Sequence, residues 1–285
     1  MTRFHARHTT QIRYSRAISE SVNEVRLTPL AHGRQRLEWS RLSAEPAAHI
    51  EAARDDFGNA VHRLTLPQAH DALVVEAVAV VETRPAETTA GREAVGRQAV
   101  ADPAYRRAHG TYLLPSRRVR WQEPVNAFAR SLALPEDDGL AAWLRALEGA
   151  VGEAISYSRG ATRVDTSVED VVRLRRGVCQ DMAHVLIALC RRRGVAARYV
   201  SGWMHNPHRA GPGASHAWAE AAVPGHGWME VDPTNPGSSL ERHIRLAVGR
   251  DYDDVPPLRG RFRGRTAQEL SVNVELRAID GGERP

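Results

Sequence analysis

The chain of 285 residues contains no lysine; all 39 of its basic side chains are arginine. It therefore carries no side-chain primary amine. Cysteine is nearly as scarce, with only Cys179 and Cys190. On a single helix, two residues so spaced stand roughly 16 Å apart along the axis. A disulfide needs Cα atoms within about 7 Å, so these two cannot bridge. Sparse cysteine agrees with a reducing compartment. No apolar run approaches the ~18 residues of a membrane span. The opening segment MTRFHARHTTQIRYSR lacks the apolar centre of a signal peptide. A cytoplasmic location with no membrane partner is the expectation. There is no paired CxxC, no HExxH and no acidic calcium loop, so neither metal nor cofactor is expected, and His205 and His208 read as loop residues. No internal repeat appears.

What remains is ordinary for a globular protein: 42% hydrophobic and 26% charged residues, with a net charge of +5. The length suggests two domains. Residues 1–84 alternate like short strands at Thr9–Tyr14, Ser21–Leu27, Arg36–Leu42, Val61–Leu66 and Leu73–Glu82. Phe57-Gly58-Asn59 supplies a hairpin-type turn. An antiparallel β-sandwich is expected there. Residues 85–100 are polar and read as a linker or loop, and 101–285 as a second domain. Its clearest helix is the stripe Leu140, Trp143, Leu144, Leu147, Val151, with Asp137 or Asp138 as cap. Ser167-Val-Glu-Asp resembles a capping box. The arginine-rich run RGRFRGR at 259–265 could track phosphates, but no nucleic-acid fold signature accompanies it. It reads as a solvated loop, and no nucleic-acid partner is expected.

The most informative run is RRGVCQDMAHVLIALCRRRG. Val178, Met182, Val185, Leu186, Leu189 and Cys190 form one face of a helix. Arg191 to Arg193 fill its last turn and Gly194 stops it. Cys179 then falls in the first turn, where unpaired N–H groups and the macrodipole favour a thiolate. Thiolate is the nucleophilic form. Cys190 falls on the apolar stripe and reads as packing. Asp181 reads as a structural cap, and His184 as a residue on the polar side of the helix.

Downstream, His216, Trp218 and Glu220 alternate with Ala217, Ala219, Ala221 and Val223, a strand pattern. Pro224–Gly227 is turn chemistry, and Trp228–Asp232 a second strand ended by Pro233. His216 and Asp232 lie at the open end of this hairpin. Counting around the turn does not set them directly opposite, so a bulge or diagonal contact is required. A cysteine at a helix N-terminus with His and Asp on adjacent strands is the arrangement of thiol acyl transfer. His216 is the general base and Asp232 its orienting partner.

The blocks GVCQDMAHVLIALCRRRGVAARYVSGW, HAWAE and GWMEVDPTN, in that order, resemble the transglutaminase-like core of bacterial papain-like cysteine enzymes. The resemblance is tightest over 157–237, and residues 1–84, with DDFGN at 55–59, resemble the β-domain that precedes this core in one bacterial subfamily. It implies an α+β fold, an N-terminal antiparallel β-sandwich followed by a helix-plus-antiparallel-sheet domain. It implies Cys179 as nucleophile, His216 as base and acid, and Asp232 as third member. Tyr157 matches a position where the family keeps an aromatic near the oxyanion; Gln180, Trp203 and Trp218 are further candidates for the substrate cleft. Family members hydrolyse amides or transfer the acyl group to amines, and some are inactive. The expected substrate is a protein or peptide carrying a glutamine or peptide amide. Hydrolysis, as a peptidase or amidase, is the favoured outcome, with protein-glutamine transglutaminase or a non-catalytic interaction protein as the alternatives. The sequence leaves the oligomeric state open.

Overall fold

Period-two alternation runs further at the N-terminus than the short expected strands. In β1 (Thr2–Ile18) Phe4, Ala6, His8, Thr10, Ile12 and Tyr14 all point inward, while Arg7 and Arg13 point out. This computed structural model describes residues 1–85, 91–135, 139–205, 215–238 and 240–280. The next strands are β2 (Glu20–Val25), β3 (Gln35–Glu45), β4 (His49–Arg54), β5 (Ala60–Leu66) and β6 (His70–Thr83). β1, β6 and β3 are neighbours in one antiparallel sheet, β2, β5 and β4 in another. Phe4, Ile12, Leu64, Leu66, Leu73 and Val75 lie in the core between them. β4 was not expected. Its sequence HIEAAR has no apolar alternation because most of it is exposed.

The segment expected as a linker is ordered over 91–101. It forms two short 3₁₀ turns, Arg92–Ala94 and Arg97–Ala101, and Val95 accepts a hydrogen bond from Leu140 N–H. Then come α1 (Pro103–Ala108), α2 (Val125–Ser131) and α3 (Leu140–Ala154). The expected stripe of α3 is buried as a unit, and each such side chain contributes about 1.5–3 kcal/mol by leaving water. Its N-cap is Gly139; Asp137 and Asp138 lie outside the described residues. A two-residue strand β7 (Ser156–Tyr157) follows, then α4 (Val168–Leu174), capped by Ser167 Oγ accepting from Asp170 N–H at 3.1 Å. β8 (Arg176–Gly177) pairs parallel with β7 and leads directly into α5 (Cys179–Arg192).

β9 (Ala197–Met204), β10 (Ser215–Val223), β11 (Gly227–Val231) and β12 (His243–Gly249) form the second domain's sheet, in the order β11-β10-β9-β12. Ala217, Ala219 and Ala221 share the core with α5. Their small side chains let the helix approach β10 closely. The alternate residues His216, Trp218 and Glu220 face the other way. There the N-terminal module closes on the sheet. Asn59 of the DDFGN turn donates to Val248 O and accepts from Val248 N–H, both at 2.8 Å, and Trp203 Nε1 donates to His8 Nδ1 at 3.0 Å.

The chain does not end in the second domain. β13 (Leu258–Arg263) pairs antiparallel with β2, and β14 (Gln268–Ile279) with β1 from Tyr14 back to Arg3. The boundary expected at 101–285 is therefore corrected: the last two strands belong to the N-terminal sheets. β14 covers one edge of β1 while β6 covers the other, removing an exposed edge that would invite pairing with another chain. The RGRFRGR run is likewise corrected from loop to strand over 258–263, with Phe262 against Tyr14 at a 5.0 Å centroid distance.

Candidate active site

Gly177 is required by what lies below it. A Cβ there would meet the Asp181 Cβ at 2.8 Å. Asp181 folds back at the helix start, its Oδ2 accepting from Val178 N–H at 2.8 Å and from Thr162 Oγ1 at 2.6 Å. Burial pushes its carboxyl pKa up, against these hydrogen bonds. Its role is the structural one expected. Cys179, partly exposed, is the first residue of α5. Cys190 is fully buried, and burial pushes its thiol pKa up to about 12. Limited iodoacetamide treatment with peptide mapping is therefore expected to modify Cys179 well before Cys190. Preferential labelling of Cys190 would contradict this placement.

The hairpin register resolves how His216 meets Asp232. Ala219 pairs with Val231 and Val223 with Gly227. Extending that register sets Asp232 across from Trp218, so Asp232 reaches His216 diagonally. His216 Nε2 lies 2.7 Å from Asp232 Oδ2. With that nitrogen engaged, Nδ1 is the ring atom left to meet Cys179, whose side chain hydrogen-bonds the imidazole. Burial alone would lower the His216 pKa; the hydrogen bonds and charges of Asp232 and Cys179 overcome it and raise the value to about 10. Burial likewise opposes ionisation of Asp232, but hydrogen bonds from His216 and His243 hold its pKa far below the carboxylate range. Trp218 is fully buried and stacks on the His216 ring with centroids 5.9 Å apart. Gly202 of β9 makes room for the Trp218 indole, since a Cβ there would collide with the ring.

Four neighbours of Asp232 escaped the sequence reading. His243 Nε2 reaches Oδ2 at 3.1 Å. Asn235 Nδ2 donates to Oδ2 at 3.0 Å, and Thr234 N–H to Oδ1 at 3.0 Å. Glu148 of α3 accepts from the backbone N–H of Asp232 at 2.6 Å and of Gly237 at 3.4 Å, holding the DPTNPG turn from beneath. The polar–apolar alternation of HIRLAV at 243–248 was the available signal for His243; Glu148 sits on the non-stripe side of α3 and gave none.

The other expected residues divide. Tyr157 pairs through its backbone with Gly177, two residues before Cys179, and its ring is largely exposed. Gln180 donates to Val164 O at 3.1 Å, tying down the loop before α4. Trp203 is completely buried in the N-terminal core and lines no cleft; this corrects its assignment. His184 is corrected too. It is buried, its Nε2 accepts from Tyr252 N–H at 3.1 Å, and burial lowers its pKa to about 4. His205 packs on Phe4; His208 and the rest of the loop at 206–214 lie outside the described residues. Among the described residues, one group has metal-ligand geometry, His216, Asp232 and His243, with ligand atoms within 4.8 Å of one another. Both rings are hydrogen-bonded to the carboxylate there. A cavity of about 570 Å³ lies between the modules, and Glu148, Glu220 and Arg245 are among its walls. Cys179, His216 and Asp232 do not line it, and Glu148 joins it to the Asp232 turn. No described helix is long and apolar enough to cross a membrane.

Comparison with known proteins gives the class. Residues 126–233 match the transglutaminase-like superfamily, and residues 4–82 match the bacterial transglutaminase-like N-terminal region. An uncharacterized protein of Mycobacterium leprae is 33% identical, over 97% of this chain and 99% of its own. One of Mycobacterium tuberculosis is 32% identical, over 98% and 94%. A solved structure from Cytophaga hutchinsonii, described as a "Putative Cysteine Protease", superposes with a TM-score of 0.78 at 22% identity, covering 100% of this chain and 93% of that one. The fold is thus the transglutaminase-like one. The chain belongs to the transglutaminase-like superfamily, in the form that carries the bacterial N-terminal region.

Proposed function

We propose that the protein is a cysteine peptidase or amidase that transfers an acyl group from an amide through a Cys179 thioester, with water as the usual acceptor. The observation that supports this most is the continuous contact from Cys179 to His216 to Asp232, built on a helix N-terminus and a strand end. A His216 held protonated by its neighbours stabilises a thiolate beside it. The thiolate attacks the amide carbonyl, forming the C–S bond. The oxyanion is held by the Cys179 backbone N–H, with the Tyr157 hydroxyl as a second donor. His216 gives its proton to the departing nitrogen as the C–N bond breaks. Neutral His216 then takes a proton from water, whose oxygen attacks the thioester. The C–S bond breaks, the acid is released, and the thiolate and imidazolium are restored. Gln180 anchors the loop, and Trp218 backs the His216 ring.

Two points favour water over a lysine amine. An amine acceptor needs a site that binds it; water does not. The cavity that adjoins the Asp232 turn is lined by six arginines and three glutamates, a balance that disfavours an ammonium group. The test is mass analysis of products and intact protein after incubation with a glutamine-containing peptide library, with and without millimolar primary amine. Deamidation or peptide cleavage is expected to dominate in both. Dominant amine incorporation would make transglutaminase the better description. Failure to form any thioester or product, with Cys179 intact and reactive, would favour a non-catalytic role.

A further inference from the structure

Asp232 does not serve His216 alone. Its Oδ2 accepts from His216 Nε2 at 2.7 Å, from Asn235 Nδ2 at 3.0 Å and from His243 Nε2 at 3.1 Å. The His243 side chain is 0% exposed, and the Trp218 indole meets it edge-on with centroids 4.8 Å apart. Its other nitrogen, Nδ1, is buried with no partner. A proton on Nδ1 would be an unpaired donor away from water, at a cost of about 1–3 kcal/mol or more. Among the described residues its only hydrogen-bond partner is the Asp232 carboxylate, so the ring is set up as a one-sided donor. Gln35 and Arg245 tie the N-terminal module to the same strand, Arg245 N–H donating to Gln35 Oε1 at 2.8 Å. So β12, which carries His243, is fixed from outside the catalytic sheet.

We propose that His243 is a positioning residue for acyl transfer: its Nε2–H holds Asp232 oriented and ionised during the part of the cycle in which His216 has given up its proton. This rests on the function proposed above. While His216 is an imidazolium, Asp232 has a full positive partner. Once His216 has protonated the leaving group, that charge is gone, and a buried carboxylate without donors is costly. Asn235 and His243 keep it satisfied at that stage. His243 has a second effect. By sharing the carboxylate, it weakens the hold of Asp232 on the His216 proton, so that His216 can return to the base form that activates water. The other titratable groups whose charges act on this cluster are Cys179 from α5, Glu148 from α3 and Glu230 from β11. None of them donates a side-chain hydrogen bond to Asp232 among the described residues.

The test needs no substrate. The rate at which iodoacetamide alkylates Cys179 is followed against pH, and the upper inflection reports loss of the His216 proton. His243→Phe removes the donor and keeps an aromatic ring of similar size. It is expected to move that inflection upward by roughly half a unit or more. His243→Gln retains an N–H donor and is expected to return it toward the wild-type value. A folded His243→Phe with an unshifted or downward-shifted profile overturns the proposal. So does an equal shift in both variants, which would mark a packing role. If His243→Phe does not fold, His243→Met replaces it in the same comparison. Because alkylation requires no acyl donor, a missing hydrolytic activity leaves this result readable. Failure of the function proposal would appear separately, as absent thioester formation with a normal alkylation profile.

Discussion

Cys179→Ala is expected to lose amide hydrolysis by on the order of 10⁴-fold or more while the thermal midpoint stays within a degree or two of wild type. The reason is that Cys179 is partly exposed at the first residue of α5, at the margin of the core, and its truncation to alanine removes only the thiol. Without the thiolate no C–S bond forms, and what remains is the oxyanion and binding contribution. His216→Ala is expected to lose activity to a similar floor, because residues of one relay act as a unit and their losses do not add. It is also expected to lower the midpoint, since the imidazole is buried against Trp218 and bonded to Asp232. Asp232→Ala should lose less, on the order of 10²–10⁴-fold, because the role proposed for it is orientation. The measurement is kcat/KM on a peptide amide identified by the library screen, paired with thermal unfolding of each variant. Full activity in His216→Ala would show that the base has been misassigned.

Much of this site was legible because two local signals are strong. The stripe from Val178 to Cys190 defines a helix and places Cys179 at its start without any knowledge of the fold. The alternation of His216, Trp218 and Glu220 with alanines defines a strand and its two faces. Alternation fixes faces but not offset, so the diagonal from His216 to Asp232 emerged only with the register. The burial of His184 was missed for a related reason. Its position off the apolar stripe suggested a polar face, yet α5 is buried on every side from Asp181 to Arg191, and a fully enclosed helix need not be amphipathic. The return of β13 and β14 to the N-terminal sheets was out of reach. The pairing of Gln268–Ile279 with Arg3–Tyr14 is a contact across nearly the whole chain, and nothing local encodes it. His243 was hidden similarly, because its importance comes from β12 lying beside β9.

Glu220→Ala is expected to destabilise the fold by about 3–5 kcal/mol, the range for breaking a buried ion pair from one side. Glu220 stands on β10 on the same face as His216, with its side chain 2% exposed. Arg198 Nε donates to its Oε2 at 2.7 Å, and Arg245 Nη1 reaches its two oxygens at 2.9 and 3.1 Å. Two guanidiniums from β9 and β12 thus converge on one carboxylate in the central part of the sheet, and Arg198 also stacks over Trp228 at 4.0 Å. Burial works against the charge on Glu220, but Arg198 and Arg245 overcome it and lower its pKa to about 2. The sign follows. The carboxylate's contribution is present above its ordinary pKa of 4.5 and is lost as pH falls toward 2. Removing the carboxylate leaves two half-buried cations side by side without their shared partner. Removing all three charges should cost far less, since buried ion pairs exchanged for apolar side chains of similar volume are often neutral. Urea unfolding of Glu220→Ala and of the triple variant Glu220→Leu, Arg198→Met, Arg245→Met at neutral pH separates the two cases. The single variant is expected to be the less stable. Because β9 and β12 carry Gly202 and His243, the single variant is also expected to slow alkylation of Cys179, through loss of the sheet that holds Asp232 in place. A single variant within 1 kcal/mol of wild type would show that solvent screens this cluster as it screens a surface pair.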